Sequence, residues 1–169
     1  MSEPADAVQP LARLSREAPT ARGWELLGCM YGFLGKWELV GSCMTSAQAL
    51  EPGWYIAHYH GSVACRMRSD AAGAARLCTR FLAECPRDCR KRVNALYALA
   101  KSEAVKGMLD GGRVDVCRLR KLLRQAQACE AKLEPLWGPF NLTEKTLVAA
   151  MDGGWTCRPK PDSERPGTQ

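Results

Sequence analysis

The chain carries only two histidines, His58 and His60, in the aromatic run Pro52-Gly53-Trp54-Tyr55-Ile56-Ala57-His58-Tyr59-His60-Gly61. On an extended segment, residues i and i+2 share a face, so the two imidazoles would project side by side. Paired imidazoles serve as metal ligands or as groups that titrate near neutral pH. Cys65 follows five residues on, and Cys85 and Cys89 stand four apart at the start of the most helical stretch. One helical turn of separation lets both sulfurs reach the same side. His58, His60, Cys85 and Cys89 thus supply the four nitrogen and sulfur ligands of a closed structural zinc site, with Cys65 as a substitute. In the competing reading the thiols pack as small apolar groups and the histidines bond locally, since the spacing is looser than that of a zinc finger.

The elements that must position these residues follow from pattern and turn chemistry. Gly61-Ser62 between two short runs suits a type II′ turn and predicts a β-hairpin near 54–68. One face would carry Trp54, Ile56, His58, His60, Val63, Cys65 and Met67; the other would carry Tyr55, Ala57, Tyr59, Ala64, Arg66 and Arg68. A one-residue slip would reverse the sorting of one strand. The rest reads as helix. Ser69 and Asp70 cap a helix from Ala71 to about Glu84, and Pro86 opens another towards Leu109, stopped by Gly111-Gly112. A third spans roughly 114–133, with Leu119, Leu122, Leu123 and Ala126 on one side. Asn141-Leu142-Thr143-Glu144 fits a capping box before a last short helix. Upstream, Trp24-Glu25-Leu26-Leu27-Gly28-Cys29 is nearly repeated at Trp37-Glu38-Leu39-Val40-Gly41-Ser42-Cys43. An offset of 13 would turn the copies roughly 220° apart on one helix, so they belong to two short elements broken near Gly35. Two copies fall short of the three stacked units that a repeat protein needs, and chance accounts for them. The expected architecture is a mainly α, single helical domain over 21–157 with one small β-hairpin, between flexible tails at 1–20 and 158–169.

Composition narrows the function. With 169 residues the chain has the length of one domain, and a formal charge of +6 favours an acidic partner such as nucleic acid or an acidic protein surface. Nine cysteines, an odd number without any Cys-x-x-Cys pair, argue against a secreted disulfide scaffold. The apolar stretch 26–40 is interrupted by Gly28, Gly32, Gly35, Lys36 and Glu38, which excludes a spanning helix there, and no membrane partner is expected. There is no Gly-x-Ser-x-Gly elbow, phosphate-binding loop or His-Glu-x-x-His helix. Cys65 opposite His58 is the only nucleophile arrangement on offer, and the chain reads as non-enzymatic.

Basic surface is the stronger functional signal. Arg87, Arg90, Lys91 and Arg92 concentrate at a helix start, where the helix dipole disfavours cations. Arg118, Arg120, Lys121 and Arg124 form a second group. With Tyr55 and Tyr59 beside Arg66 and Arg68, they give the mixture used for phosphate contact and base stacking. The alternative is a solvated helix face.

Pro52-Gly53-Trp54, followed by Tyr59-His60, Ser62 and Arg66 and an Ala-rich helix with Phe81, resembles the small nonstructural nuclear accessory proteins of bocaparvoviruses and related parvoviruses. The resemblance covers about a quarter of the chain. It implies a viral accessory protein of the host nucleus, present also in the cytoplasm, that contacts nucleic acid and host nuclear proteins and supports viral replication and RNA processing. The alternative expectation is a helical interaction module that sequesters a host signalling or apoptosis protein through an apolar groove, near the glycine-rich stretch 28–41.

Overall fold

Seven α-helices follow one another in the computed structural model, which describes residues 4–109 and 115–130. They are α1 Pro4–Glu17, α2 Ala21–Phe33, α3 Trp37–Leu50, α4 Tyr55–Met67, α5 Ala71–Glu84, α6 Lys91–Leu109 and α7 Val116–Glu130. Each helix packs against the next, with additional contacts of α2 with α4 and α4 with α6. The chain therefore stacks antiparallel pairs (α2 with α3, α4 with α5, α6 with α7), and the first helices of the pairs approach one another along one side.

The ends of these helices are written into the sequence. Thr20 and Asp70 accept the amides of Gly23 and Gly73 at 2.9 and 2.7 Å, the capping geometry worth about 1 kcal/mol at a helix start. At the end of α2, Gly35 takes φ +70° while Gly35 N–H and Lys36 N–H donate to Gly32 O and Tyr31 O, a left-handed stop that glycine suits. Ser69 performs the same role after α4 at φ 62°, with Ser69 N–H and Asp70 N–H donating to Arg66 O and Cys65 O. These two stops lie 34 residues apart.

That interval recurs through the packing. Trp24, Leu27, Gly28, Tyr31, Val40, Met44, Ala47 and Pro52 are matched 34 residues later by His58, Gly61, Ser62, Cys65, Ala74, Cys78, Phe81 and Pro86. Apart from the two prolines, every one of these positions is buried or half-buried. At Gly28 a side chain would run into Met44 and would stand 3.1 Å from Cys43 Cβ, so the missing Cβ lets α2 and α3 close on one another.

Several expectations are corrected. The hairpin near 54–68 is helix α4, because Ala57, His58, Gly61, Ser62 and Ala64 form a buried stripe at helical rather than alternating spacing. Gly61 is a packing position and not a turn: a Cβ there would lie 3.1 Å from Leu77 Cδ1. The tail expected over 1–20 contains α1, whose Val8 and Ala12 join the buried cluster of α2 to α4. Pro86 does not begin a helix; α6 starts at Lys91, after turns in which Cys89 N–H and Arg92 N–H donate to Pro86 O and Cys89 O. The break near Gly35, the helix capped by Asp70 and the helix that ends at Leu109 stand as expected. The capping box at 141–144 and the tail at 158–169 lie outside the described residues.

Candidate functional site

In a helix the step from i to i+2 is about 200°, so α4 sends its two histidines to opposite sides. His58 is buried, its Nε2 3.2 Å from Glu84 Oε2 and its ring in contact with the Gln48 amide. Burial lowers its pKa, against the pull of Glu84. His60 faces α2 and α6. No three of His58, His60, Cys85 and Cys89 bring their ligand atoms together; among the described residues the group that does so is Glu25, Cys29 and His60, within 4.8 Å of one another. The expected four-ligand site is thereby corrected. Cys85 is buried with Phe81 and Ala95, and half-buried Cys89 packs against the same cluster, as the competing reading of the thiols holds.

The group around His60 is a polar network between three helices. Glu25 is buried on α2, and its carboxylate accepts Arg22 Nη1 at 3.0 Å and the indole N–H of Trp54 at 3.1 Å. His60 Nε2 lies 3.7 Å from Glu25 Oε1, 3.9 Å from Cys29 Sγ and 3.2 Å from Lys91 Nζ. The Lys91 ammonium also stands 5.2 Å from the centre of the Tyr59 ring. Burial, then the Lys91 charge, lowers the His60 pKa to about 4, so the ring is neutral at pH 7 and accepts from lysine. Burial and the Glu25 charge raise the Cys29 thiol.

A groove of about 390 Å³ runs between α4 and α6, lined by Tyr59, Val63, Arg66, Met67, Asn94, Tyr97, Lys101, Ser102 and Val105 among others. Its base contains an anomaly. Ser102 is 3% exposed, and among the described residues its hydroxyl, like that of Ser15 on α1, has no hydrogen-bond partner, a condition that costs about 1–3 kcal/mol relative to a satisfied group. Arg66 and Lys101 are exposed at the same groove, and neither forms an ion pair among the described residues. Asn94 donates to the Tyr59 hydroxyl at 3.5 Å.

The other basic and aromatic residues are dispersed. Tyr55 and Tyr59 do not make an exposed face with Arg66 and Arg68; both rings lean on fully buried Phe81, at centroid distances of 6.0 and 5.3 Å. Arg68 lies 3.5 Å from Glu38 on α3. Arg92 donates to Leu82 O and Cys85 O at 2.9 and 3.4 Å, where it closes the C-terminus of α5. Arg118 pairs with Glu103 at 2.9 Å. Arg87 and Arg90 are exposed in the turns before α6, and Arg120, Lys121 and Arg124 are exposed on α7. Only Tyr59, Arg66, His60 and Lys91 of the residues singled out by sequence fall in the groove or the network; Glu25, Cys29, Asn94, Lys101 and Ser102 were missed. The signal that places Glu25 and Cys29 is the 34-residue period, which identifies α2 and α4 as equivalent helices; α6 begins 36 residues after α4, outside that period.

Two antiparallel helix pairs at this period, α2 with α3 and α4 with α5, opened by Trp24-x2-Leu27-Gly28-x2-Tyr31 and followed by Pro52 and Pro86, have tetratricopeptide-type spacing, and the third pair, α6 with α7, stacks on them at wider spacing. Among solved structures the chain is similar to one described as the crystal structure of MamA, at 17% identity and a TM-score of 0.64, over 76% of this chain and 70% of that one. At that identity the likeness concerns the fold. No family model and no curated protein matches the chain.

Proposed function

We propose that the chain is a protein-interaction module whose α4–α6 groove holds a short acidic and apolar segment of a partner protein. The observation that carries this reading is a groove that displays the exposed cations Arg66 and Lys101, neither in an ion pair among the described residues, beside Val63, Met67 and Val105. Two cations suit a carboxylate-bearing segment, while Val63, Met67 and Val105 provide apolar contact for its other side chains. Stacked helix pairs create an extended binding surface, which favours binding along their first helices. The engagement of Arg68, Arg92 and Arg118 with this chain's own groups weighs against a continuous phosphate-binding face.

A random 12-residue peptide library selected on the full chain tests the reading. Selected peptides are expected to be enriched in Asp or Glu next to apolar residues, and to protect the backbone amides of α4 and α6 from hydrogen exchange. The opposite result is a peptide pool without acidic enrichment, together with tight, steeply salt-dependent binding of a fluorescent single-stranded oligonucleotide. That outcome would transfer the function to nucleic acid.

A further inference from the structure

The geometry points to a three-residue divalent metal site of zinc type formed by Glu25 Oε1, Cys29 Sγ and His60 Nε2, with Lys91 occupying the imidazole lone pair when the metal is absent. It stands independently of the groove. In tetrahedral zinc coordination, bonds of about 2.0–2.3 Å place nitrogen and oxygen ligands about 3.3 Å apart and nitrogen and sulfur ligands about 3.6 Å apart. The corresponding separations here are 3.7 and 3.9 Å. A contraction of a few tenths of an ångström brings His60 to coordination spacing from both partners, and closure of the Glu25 and Cys29 ligand atoms, which lie within 4.8 Å of one another, completes the shell, leaving a fourth position for water.

The surroundings are arranged as a ligand set requires. Arg22 Nη1 donates to both carboxylate oxygens at 3.0 Å and the Trp54 indole to Oε2 at 3.1 Å; with the metal on Oε1, the bonds to Oε2 take the orienting role that hydrogen-bonded neighbours play around metal ligands. Carboxylate, thiolate and imidazole together match a borderline ion better than magnesium or calcium, which prefer all-oxygen sites. Two cations oppose a third, and each has somewhere to go. Arg22 is largely exposed to solvent. Lys91 begins α6 and retains the Tyr59 ring after releasing His60. Binding converts the Cys29 thiol to a thiolate, and its proton leaves to solvent as the metal–sulfur bond forms.

Cobalt(II) titration of reduced, tag-free, metal-free full chain provides the test, because a cobalt–thiolate bond gives a near-ultraviolet charge-transfer band and tetrahedral cobalt absorbs strongly in the visible. The expected result is saturation at one equivalent, with both bands displaced by zinc. Cys29→Ser should abolish the charge-transfer band, whereas Cys65→Ser should keep it. Lys91→Gln should tighten binding by roughly an order of magnitude by removing the competing ammonium, a gain that misfolding cannot produce. Absence of the bands in the wild-type chain, their persistence in Cys29→Ser, their loss in Cys65→Ser, or unchanged or weakened binding in Lys91→Gln would overturn the proposal.

Discussion

The network between α2, α4 and α6 and the groove between α4 and α6 share a wall at Tyr59, yet they treat polar groups in opposite ways. In the network every polar atom meets another: Glu25 receives Arg22 and Trp54, and His60 receives Lys91. In the groove Ser102 has no partner, and Arg66 and Lys101 have no carboxylate among the described residues. A satisfied network holds helices in register, whereas exposed cations without a carboxylate leave their charge for an external group to meet. The first region accounts for how the pairs are fastened together, the second for what the array presents.

The comparison can be broken at several points. Phe81→Ala removes the ring beneath both Tyr55 and Tyr59 and should cost about 3–5 kcal/mol in urea unfolding, collapsing the wall that the two regions share. Glu25→Ala leaves the Trp54 indole and the ends of the network without their acceptor. It should destabilise the chain by roughly 2–3 kcal/mol, while a groove mutation should not. Acidification should also strike the network. The His60 pKa is about 4 folded and about 6.5 unfolded, so the unfolded chain takes up the proton first. In metal-free protein that contribution is full above about pH 7 and declines as pH falls from about 6.5 towards 4, on the order of 3 kcal/mol lost; urea midpoints read at each pH would show it, and a flat profile would contradict it. The smallest expected effect sharpens the contrast most. Ser102→Ala removes a hydroxyl that bonds to nothing among the described residues, so stability should stay within about 0.5 kcal/mol of wild type or rise.

Much of the helical architecture was legible because it is set locally. Asp70 and Gly35 fix their helix ends through cap and left-handed geometry that residue type reveals. The run 54–68 misled because Gly61-Ser62 fits a hairpin turn by composition, while its function is a close helix crossing against Leu77 that only tertiary packing discloses. The near repeat at 13 residues, read as chance, is one helix and its antiparallel return: Trp24 and Trp37 pack against the same buried cluster. The informative period was 34, muted in the second unit because His58 stands where the first has Trp24. With α4 read as a strand, His58 and His60 fell on one face. As a helix, α4 gives His60 to Glu25 and Cys29, residues that no local motif connects to it. The Pro-Gly-Trp motif likewise has a local use, since Pro52-Gly53 turns the chain between α3 and α4 with Trp54 N–H donating to Glu51 O, and the Trp54 indole reaches Glu25.

The most direct measurement is the affinity of a library-selected acidic peptide, by fluorescence anisotropy, for the wild-type chain and for Arg66→Glu/Lys101→Glu, with far-ultraviolet circular dichroism and urea midpoints confirming that both are equally folded. Charge reversal at two exposed positions should leave stability nearly unchanged and weaken binding at least about tenfold, corresponding to roughly 1.4 kcal/mol or more. Equal affinity for the two proteins would contradict the assignment of the α4–α6 groove as the binding surface.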